Sequence, residues 1–232
     1  IEALVSQLRM MTDGLAHDLR SPVTRLRSSV ERAIVDTRDP AALRALERVS
    51  AEADVLLSML STALLISRAE AGIGREQFEE VRLVELLEDL AEVYGPLAED
   101  AGFVVTVEAP ADLRALVHRE LVGQAIGNLI ENALKYAEGG TRIGLSAGVT
   151  AGTGVTLTVD DDGPGIPADR RDEALRRFGR LDPARHVAGS GLGLSLVGAV
   201  ARLHGGDMRL EEAAPGLRVV IQLGAARDGG TA

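Results

Sequence analysis

"GNLIENALKYAEGG", residues 127–140, puts two kinds of side chain on one helix. At 3.6 residues per turn, Asn128 and Asn132 share a face with Gln124 one turn earlier and Lys135 three residues later. Val122, Ile126, Leu129, Ile130 and Ala133 fall on the opposite side and demand a core. The polar face then has either water or a ligand against it. An amide oxygen is a hard, neutral donor, suited to a magnesium ion that keeps waters and substrate phosphates as its other ligands. Lys135 can reach a phosphate as a point charge, and Tyr136 can cover an adenine face. A plain solvated face is the competing reading of this stretch alone.

Working outward, the texture from Phe78 onward is α+β. Helices are expected near 83–101, 118–137 and 191–204, and strands near 103–108, 141–149, 154–160, 207–212 and 217–223. Helices on one face of a mainly antiparallel sheet account for that pattern. "VTLTVDDDGPGIP", residues 155–167, runs an alternating strand into three acids and then Gly163 and Gly165. A carboxylate at a strand end can accept from an exocyclic amine where side-chain-free residues let a flat ring approach. The spacing of an EF-hand is absent, and a simple turn stays open as an alternative. "AGSGLGLSLV", residues 188–197, places Gly189, Gly191 and Gly193 before a helix whose N-terminal N–H groups suit phosphate. It does not follow directly from a strand, which excludes a dinucleotide fingerprint.

Upstream, "GLAHDLRSPVTRLR", residues 14–27, lies in an apolar stripe from Ile1 through Leu15 and Leu19 to Ala33, a helix about 35 residues long. His17 sits roughly 200° from Leu15 and Leu19 and faces away from that stripe. Pro22 cannot donate to the Asp18 carbonyl, so the helix should bend just after His17. Asp39 and Pro40 suit a cap and a first helical position, and a second stripe follows through Leu43, Leu46, Val49, Ala53, Leu56, Leu60 and Ala63. One hairpin covers both stripes poorly, which favours a dimer with four helices in a bundle; folding back onto the rest of the chain is the alternative. "RAEAGIGREQ", residues 68–77, reads as a linker through Gly72 and Gly74.

The composition sets limits. The 232 residues, 46% hydrophobic, suffice for one or two domains with a sizeable core. A net charge of -10 argues against nucleic acid as a partner. Zero cysteines exclude disulfides and thiolate metal sites and suit the cytoplasm. The apolar run from Leu56 to Ile66 is too short to span a bilayer. The chain opens at Ile1 inside a helical pattern, so it reads as a piece whose upstream part leaves room for a membrane region.

In their order along the chain, the His17, Asn128, Asp161 and Gly189 segments together resemble the transmitter part of bacterial two-component sensor histidine kinases. The resemblance implies a dimerisation and histidine-phosphotransfer domain over residues 1–70, a linker over 71–77, a catalytic ATP-binding domain of the GHKL (Bergerat-type) α/β sandwich class over 78–225, and a tail over 226–232. It implies a homodimer through the hairpin, a response regulator receiver domain as partner, ATP and Mg2+ as ligands, and a cytoplasmic location. Carried onto this sequence, it makes His17 the phosphoacceptor and Asp18 its acid–base neighbour. Asn128 and Asn132 become magnesium-associated, Lys135 and Tyr136 phosphate and adenine contacts, and Asp161 the reader of the adenine amine with Gly163 and Gly165 in support. In "RRFGRLDPAR", residues 176–185, Phe178 matches the lid phenylalanine, while Arg180 and Arg185 match positions that reach the terminal phosphate. Gly189, Gly191, Leu192 and Gly193 join the lid to its helix.

Three positions depart from the family's pattern. Ser21 stands four residues after the histidine, where threonine or asparagine is usual and helps position water for phosphatase action. Ala188 replaces a frequent first glycine of the lid hinge, and His118 stands where an acid often begins the asparagine helix. Two other functions compete: a GHKL ATPase that uses hydrolysis for conformational work, which leaves His17, Asp18 and Pro22 unexplained, and a non-catalytic dimeric docking scaffold.

Overall fold

The computed structural model describes residues 21–149, 154–176 and 191–224. Residues 21–36 form α1, and α2 spans Pro40–Glu70. Between them the chain reverses at the expected place. Asp39 accepts the Ala41 N–H at 2.9 Å, and Pro40 opens α2 where no N–H is needed. Val30 and Ala53 are buried in the hairpin, and Arg27 of α1 pairs with Asp54 of α2 at 3.0 Å. Leu26, Val35, Val49 and Leu56 stay exposed on the single chain.

By length and composition α2 is one helix among the described residues that is long and apolar enough to cross a membrane. Its C-terminal end has protein against it instead. Ile66 and Ala69 belong to the same buried cluster as the α6 residues Val197 and Ala201.

The chain then passes Gly72 and Gly74, both at positive φ, and a short 3-10 turn at Arg75–Gln77. Next come β1 (Glu79–Arg82), α3 (Leu83–Asp100), β2 (Val104–Glu108), β3 (Arg114–Val117) and α4 (Arg119–Tyr136). β4 (Arg142–Val149), β5 (Val155–Asp161), the four-residue α5 (Arg171–Ala174), α6 (Gly193–Leu203), β6 (Met208–Glu212) and β7 (Leu217–Leu223) complete the order. The main sheet runs β2-β4-β5-β7-β6, antiparallel except where β2 lies parallel to β4.

Burial alternates along β5: Val155, Leu157 and Val159 are buried while Thr156 and Thr158 are partly exposed. One face is therefore apolar, and α3, α4 and α6 supply the second layer through Leu87, Ile126, Ile130, Leu196 and Val200. β1 and β3 form a separate two-stranded ribbon that the sequence pattern did not reveal. Each has four residues, too few for a period of two to register.

Candidate functional site

α4 is the element that divides core from site. Leu121, Val122, Ala125, Ile126, Leu129, Ile130 and Ala133 are buried in the core, which turns Gln124, Asn128, Asn132 and Lys135 outward. The Asn128 Nδ2 donates to the Gln124 carbonyl at 2.9 Å, and this bond fixes which way the amide lies. Its Oδ1 then points to the first residue of α6. A Cβ added at Gly193 would stand 3.2 Å from Asn128 Oδ1 and 3.3 Å from Asn132 Nδ2. Glycine keeps that space clear.

The N-terminus of α6 completes the wall. Its N-cap is Leu192, which offers no side-chain acceptor, so the first-turn N–H groups have no side-chain cap. Leu192 is instead an anchor, buried to 2% exposure, and Gly191 before it turns the chain at φ 66°. N–H groups and the positive end of the helix dipole thus lie beside two amides, a combination that favours an anion and a hard cation together.

The three acids that end β5 separate by environment. Asp160 pairs with Arg142 at 2.7 Å. Asp162 accepts from Thr141 N–H (2.7 Å), Arg142 N–H (2.9 Å) and the Thr141 hydroxyl (2.9 Å), which joins the loop to the start of β4. Those bonds, the Arg142 N–H foremost, hold its carboxyl below the usual carboxylate range. Asp161 has a different set of partners.

Asp161 is buried, and both its backbone bonds, from Gly163 N–H (3.0 Å) and Leu217 N–H (3.3 Å), fall on Oδ1. Burial pushes its carboxyl up, the two N–H bonds oppose this, and Asp162 and Asp160 add to the rise. A buried carboxylate with one oxygen uncommitted by those bonds gains when a ligand N–H donates to it. Gly163 passes directly against the Ala137 backbone at the end of α4, where any Cβ would collide. That contact brings the Asp161 loop against the helix end that carries Lys135 and Tyr136. Lys135 Nζ lies 3.7 Å from Glu131 Oε2, and Tyr136 is 47% exposed.

Ser21 is described, and its hydroxyl accepts from the Arg25 guanidinium one turn on. His17, Asp18, Phe178, Arg180, Arg185 and Gly189 lie outside the described residues.

The sequence reading missed a cluster at the far end of α4. His118 caps the helix, its Nδ1 accepting the Leu121 N–H at 3.4 Å. Its own N–H donates to His204 Nε2 at 3.0 Å, and Phe78 stacks on the His204 ring with centroids 4.4 Å apart. The available signal was a histidine at each helix boundary, at 118 and 204.

Two family models match this chain: the His Kinase A (phospho-acceptor) domain over residues 7–72, and the histidine kinase-, DNA gyrase B- and HSP90-like ATPase over residues 118–227. The chain belongs to the two-component sensor histidine kinases. Within this family it is 34% identical over 206 residues to the sensor protein IrlS of Burkholderia pseudomallei, covering 86% of this chain and 43% of that protein. It is 34% identical over 224 residues to the signal transduction histidine-protein kinase/phosphatase MprB of Mycolicibacterium vanbaalenii, covering 93% of this chain and 45% of that one. The transmitter core therefore spans less than half the length of these curated relatives. Among solved structures, full-length ShkA in complex with AMPPNP superposes with a TM-score of 0.73 at 25% identity, over 92% of this chain and 45% of that one.

Proposed function

We propose that this chain is the ATP-dependent core of a sensor histidine kinase, which phosphorylates His17 and passes the phosphoryl group to an aspartate on a response regulator. One observation carries the reading: the two α4 amides lie against the Gly193 end of α6, and the Gly163 contact brings the buried Asp161 to the same helix. A nucleoside triphosphate fits those three features in order, with its base amine on Asp161 and its phosphates towards α6. That ShkA, which shares this fold, is in complex with AMPPNP supports a nucleotide as the ligand.

Magnesium suits the donors. Among the described residues no group of three or more His, Cys, Asp or Glu side chains converges on one point, and amide oxygens with phosphates make the hard set that this ion accepts. Asn128 and Asn132 would hold it, and when bound it neutralises charge on the phosphates. The protein's own residues do the rest. Asp18 would accept from one ring N–H of His17, leave the lone pair of the other nitrogen for attack on the γ-phosphorus as the bond to the ADP oxygen breaks, and take up the ring proton as the N–P bond forms. Lys135, Arg180 and Arg185 offset the phosphate charge, Tyr136 and Phe178 border the nucleotide, and Gly165, Gly189 and Gly191 let the loops turn around it.

The proposed division is 1–70 for dimerisation and phosphotransfer, 71–77 for the linker and 78–225 for catalysis. The exposed Leu26, Val35, Val49 and Leu56 support a homodimer through the hairpin. A phosphatase activity toward the regulator is a second role, favoured by the name of the MprB relative and by the hydroxyl that Ser21 retains. The test is label transfer from γ-phosphate-labelled ATP. The expected product is acid-labile and base-stable, and it disappears in His17→Gln while nucleotide still binds. Labelling that persists in this variant would reject His17, and a stable nucleotide complex with no label in the wild type would reject the kinase.

A further inference from the structure

His204 closes α6, and both nitrogens of its ring are engaged. Nδ1 lies 2.7 Å from the Val200 carbonyl, and Nε2 lies 3.0 Å from the His118 backbone nitrogen. A carbonyl only accepts and a backbone N–H only donates, so Nδ1 donates, Nε2 accepts, and the ring is neutral. An imidazolium has two donors and no acceptor. Protonation would therefore set Nε2–H against the His118 N–H.

The surroundings reinforce this state. The ring is 5% exposed, and burial lowers its proton affinity; the Val200 bond opposes that effect, and the charges of His118 and Arg75 add to it. The groups facing it from neighbouring elements are thus His118 at the head of α4 and Arg75 of the linker, cationic when charged. Glu70 at the end of α2 is engaged by Arg202 at 3.4 Å.

The linker and the residue after it meet this corner at three points. Phe78 stacks on His204, Arg75 Nε donates to the Leu203 carbonyl at 3.1 Å, and Gly74 lies against the His118 ring. His118 caps α4 with an acceptor lone pair on Nδ1.

We infer that the His204 ring, seated on the His118 backbone, forms an acid-released latch, which holds the linker to the start of α4 and the end of α6 when that ring is neutral and frees it when the ring is protonated. The sign follows from linkage. The latched His204 binds a proton less tightly than a solvated histidine of pKa about 6.5, so the latch is held above that pH and weakens as the pH falls below it. For His204 alone the ratio of free to latched linker rises by at most about tenfold per pH unit. The latch stands on this corner of the fold and is independent of the kinase reading.

Hydrogen exchange of the full chain tests it, read at residues 72–78 and 119–122 from about pH 7.5 to about pH 5 and corrected for intrinsic exchange. Protection of both segments should fall as the pH drops below about 6.5, and His204→Gln, which cannot be charged, should remove that dependence. Should that variant fail to fold, nitrogen NMR of the unaltered protein decides: His204 should carry its proton on Nδ1 at neutral pH, and its second protonation should coincide with the loss of linker protection. PH-independent protection in the wild type, an equal pH response in His204→Gln, or an Nε2–H tautomer would overturn the latch.

Discussion

Replacing Asp161 by asparagine separates ligand recognition from folding, because the two move in opposite directions. Asparagine retains Oδ1, which takes the Gly163 and Leu217 N–H bonds at 3.0 and 3.3 Å, and exchanges the second oxygen for an NH2 donor. An adenine amine would then meet a donor where it needs an acceptor. Loss of a hydrogen bond to a charged group costs about 1.5–3 kcal/mol, so nucleotide affinity should fall about 10- to 150-fold. Stability should not fall with it. Burial raises the Asp161 carboxyl, so the folded chain binds that proton more tightly than the unfolded one, and stability falls as the pH rises from about 3.9 through the raised value. At neutral pH the charge therefore opposes folding, and Asp161→Asn should unfold at a urea midpoint equal to or above that of the wild type. Calorimetric titration with AMPPNP and with the inosine analogue completes the test, since inosine offers a carbonyl that the new NH2 can donate to. The preference for adenine over hypoxanthine should shrink. An AMPPNP affinity within about twofold of the wild type would refute the assignment, because no hydrogen bond to charge is worth so little in a buried site.

Asn132→Ala should weaken AMPPNP binding about tenfold or more in magnesium, with the gap to the wild type closing in EDTA; equal gaps in both buffers would remove Asn132 from the metal. Asp162→Asn should lower the urea midpoint at neutral pH by the equivalent of about 1 kcal/mol, because solvent screens a group so near the surface. The folded carboxyl is held low, so its contribution is complete above about pH 3.9 and lost as the pH falls through the folded value; the two proteins should converge in acid. Asp18→Asn should keep folding and nucleotide affinity while slowing single-turnover labelling at least about tenfold, and a wild-type rate would show that Asp18 is not the base.

How much of this was legible depended on whether a residue's role follows from its own neighbours in sequence. Eight elements of the catalytic part, α3, α4, α6, β2, β4, β5, β6 and β7, could be read because each carries its period over at least five residues: α4 shows its buried face through Leu121, Val122, Ile126, Leu129, Ile130 and Ala133, and β5 alternates Val155, Thr156, Leu157 and Thr158. β1 and β3 could not, since four residues hold two alternations at most. Helical spacing alone aligns Asn128 and Asn132 on one face of α4, whereas "DDD" is three equal letters, and only the family resemblance singled out Asp161. Their difference is made by distant partners. Arg142 and Thr141, about twenty residues upstream, occupy Asp160 and Asp162, while Asp161 accepts from the Gly163 and Leu217 N–H groups.

The same reasoning applies to His118, which the sequence shows only as a departure from the family's pattern. Read locally, it is a histidine in place of an acid, and either can cap a helix by accepting an N–H. What distinguishes them is set by residue 204, which lies 86 positions away and whose ring accepts the His118 N–H. An acid at 118 would keep a lone pair for Leu121 at every pH above its own low pKa, and its negative charge would favour a charged His204 beside it. Histidine at 118 also supplies a capping lone pair but no negative charge, and its electrostatic effect on His204 is to lower that ring's proton affinity. A residue equivalent for the cap thus leaves the His204 ring without a neighbouring negative charge, at the point where Gly74, Arg75 and Phe78 meet the domain.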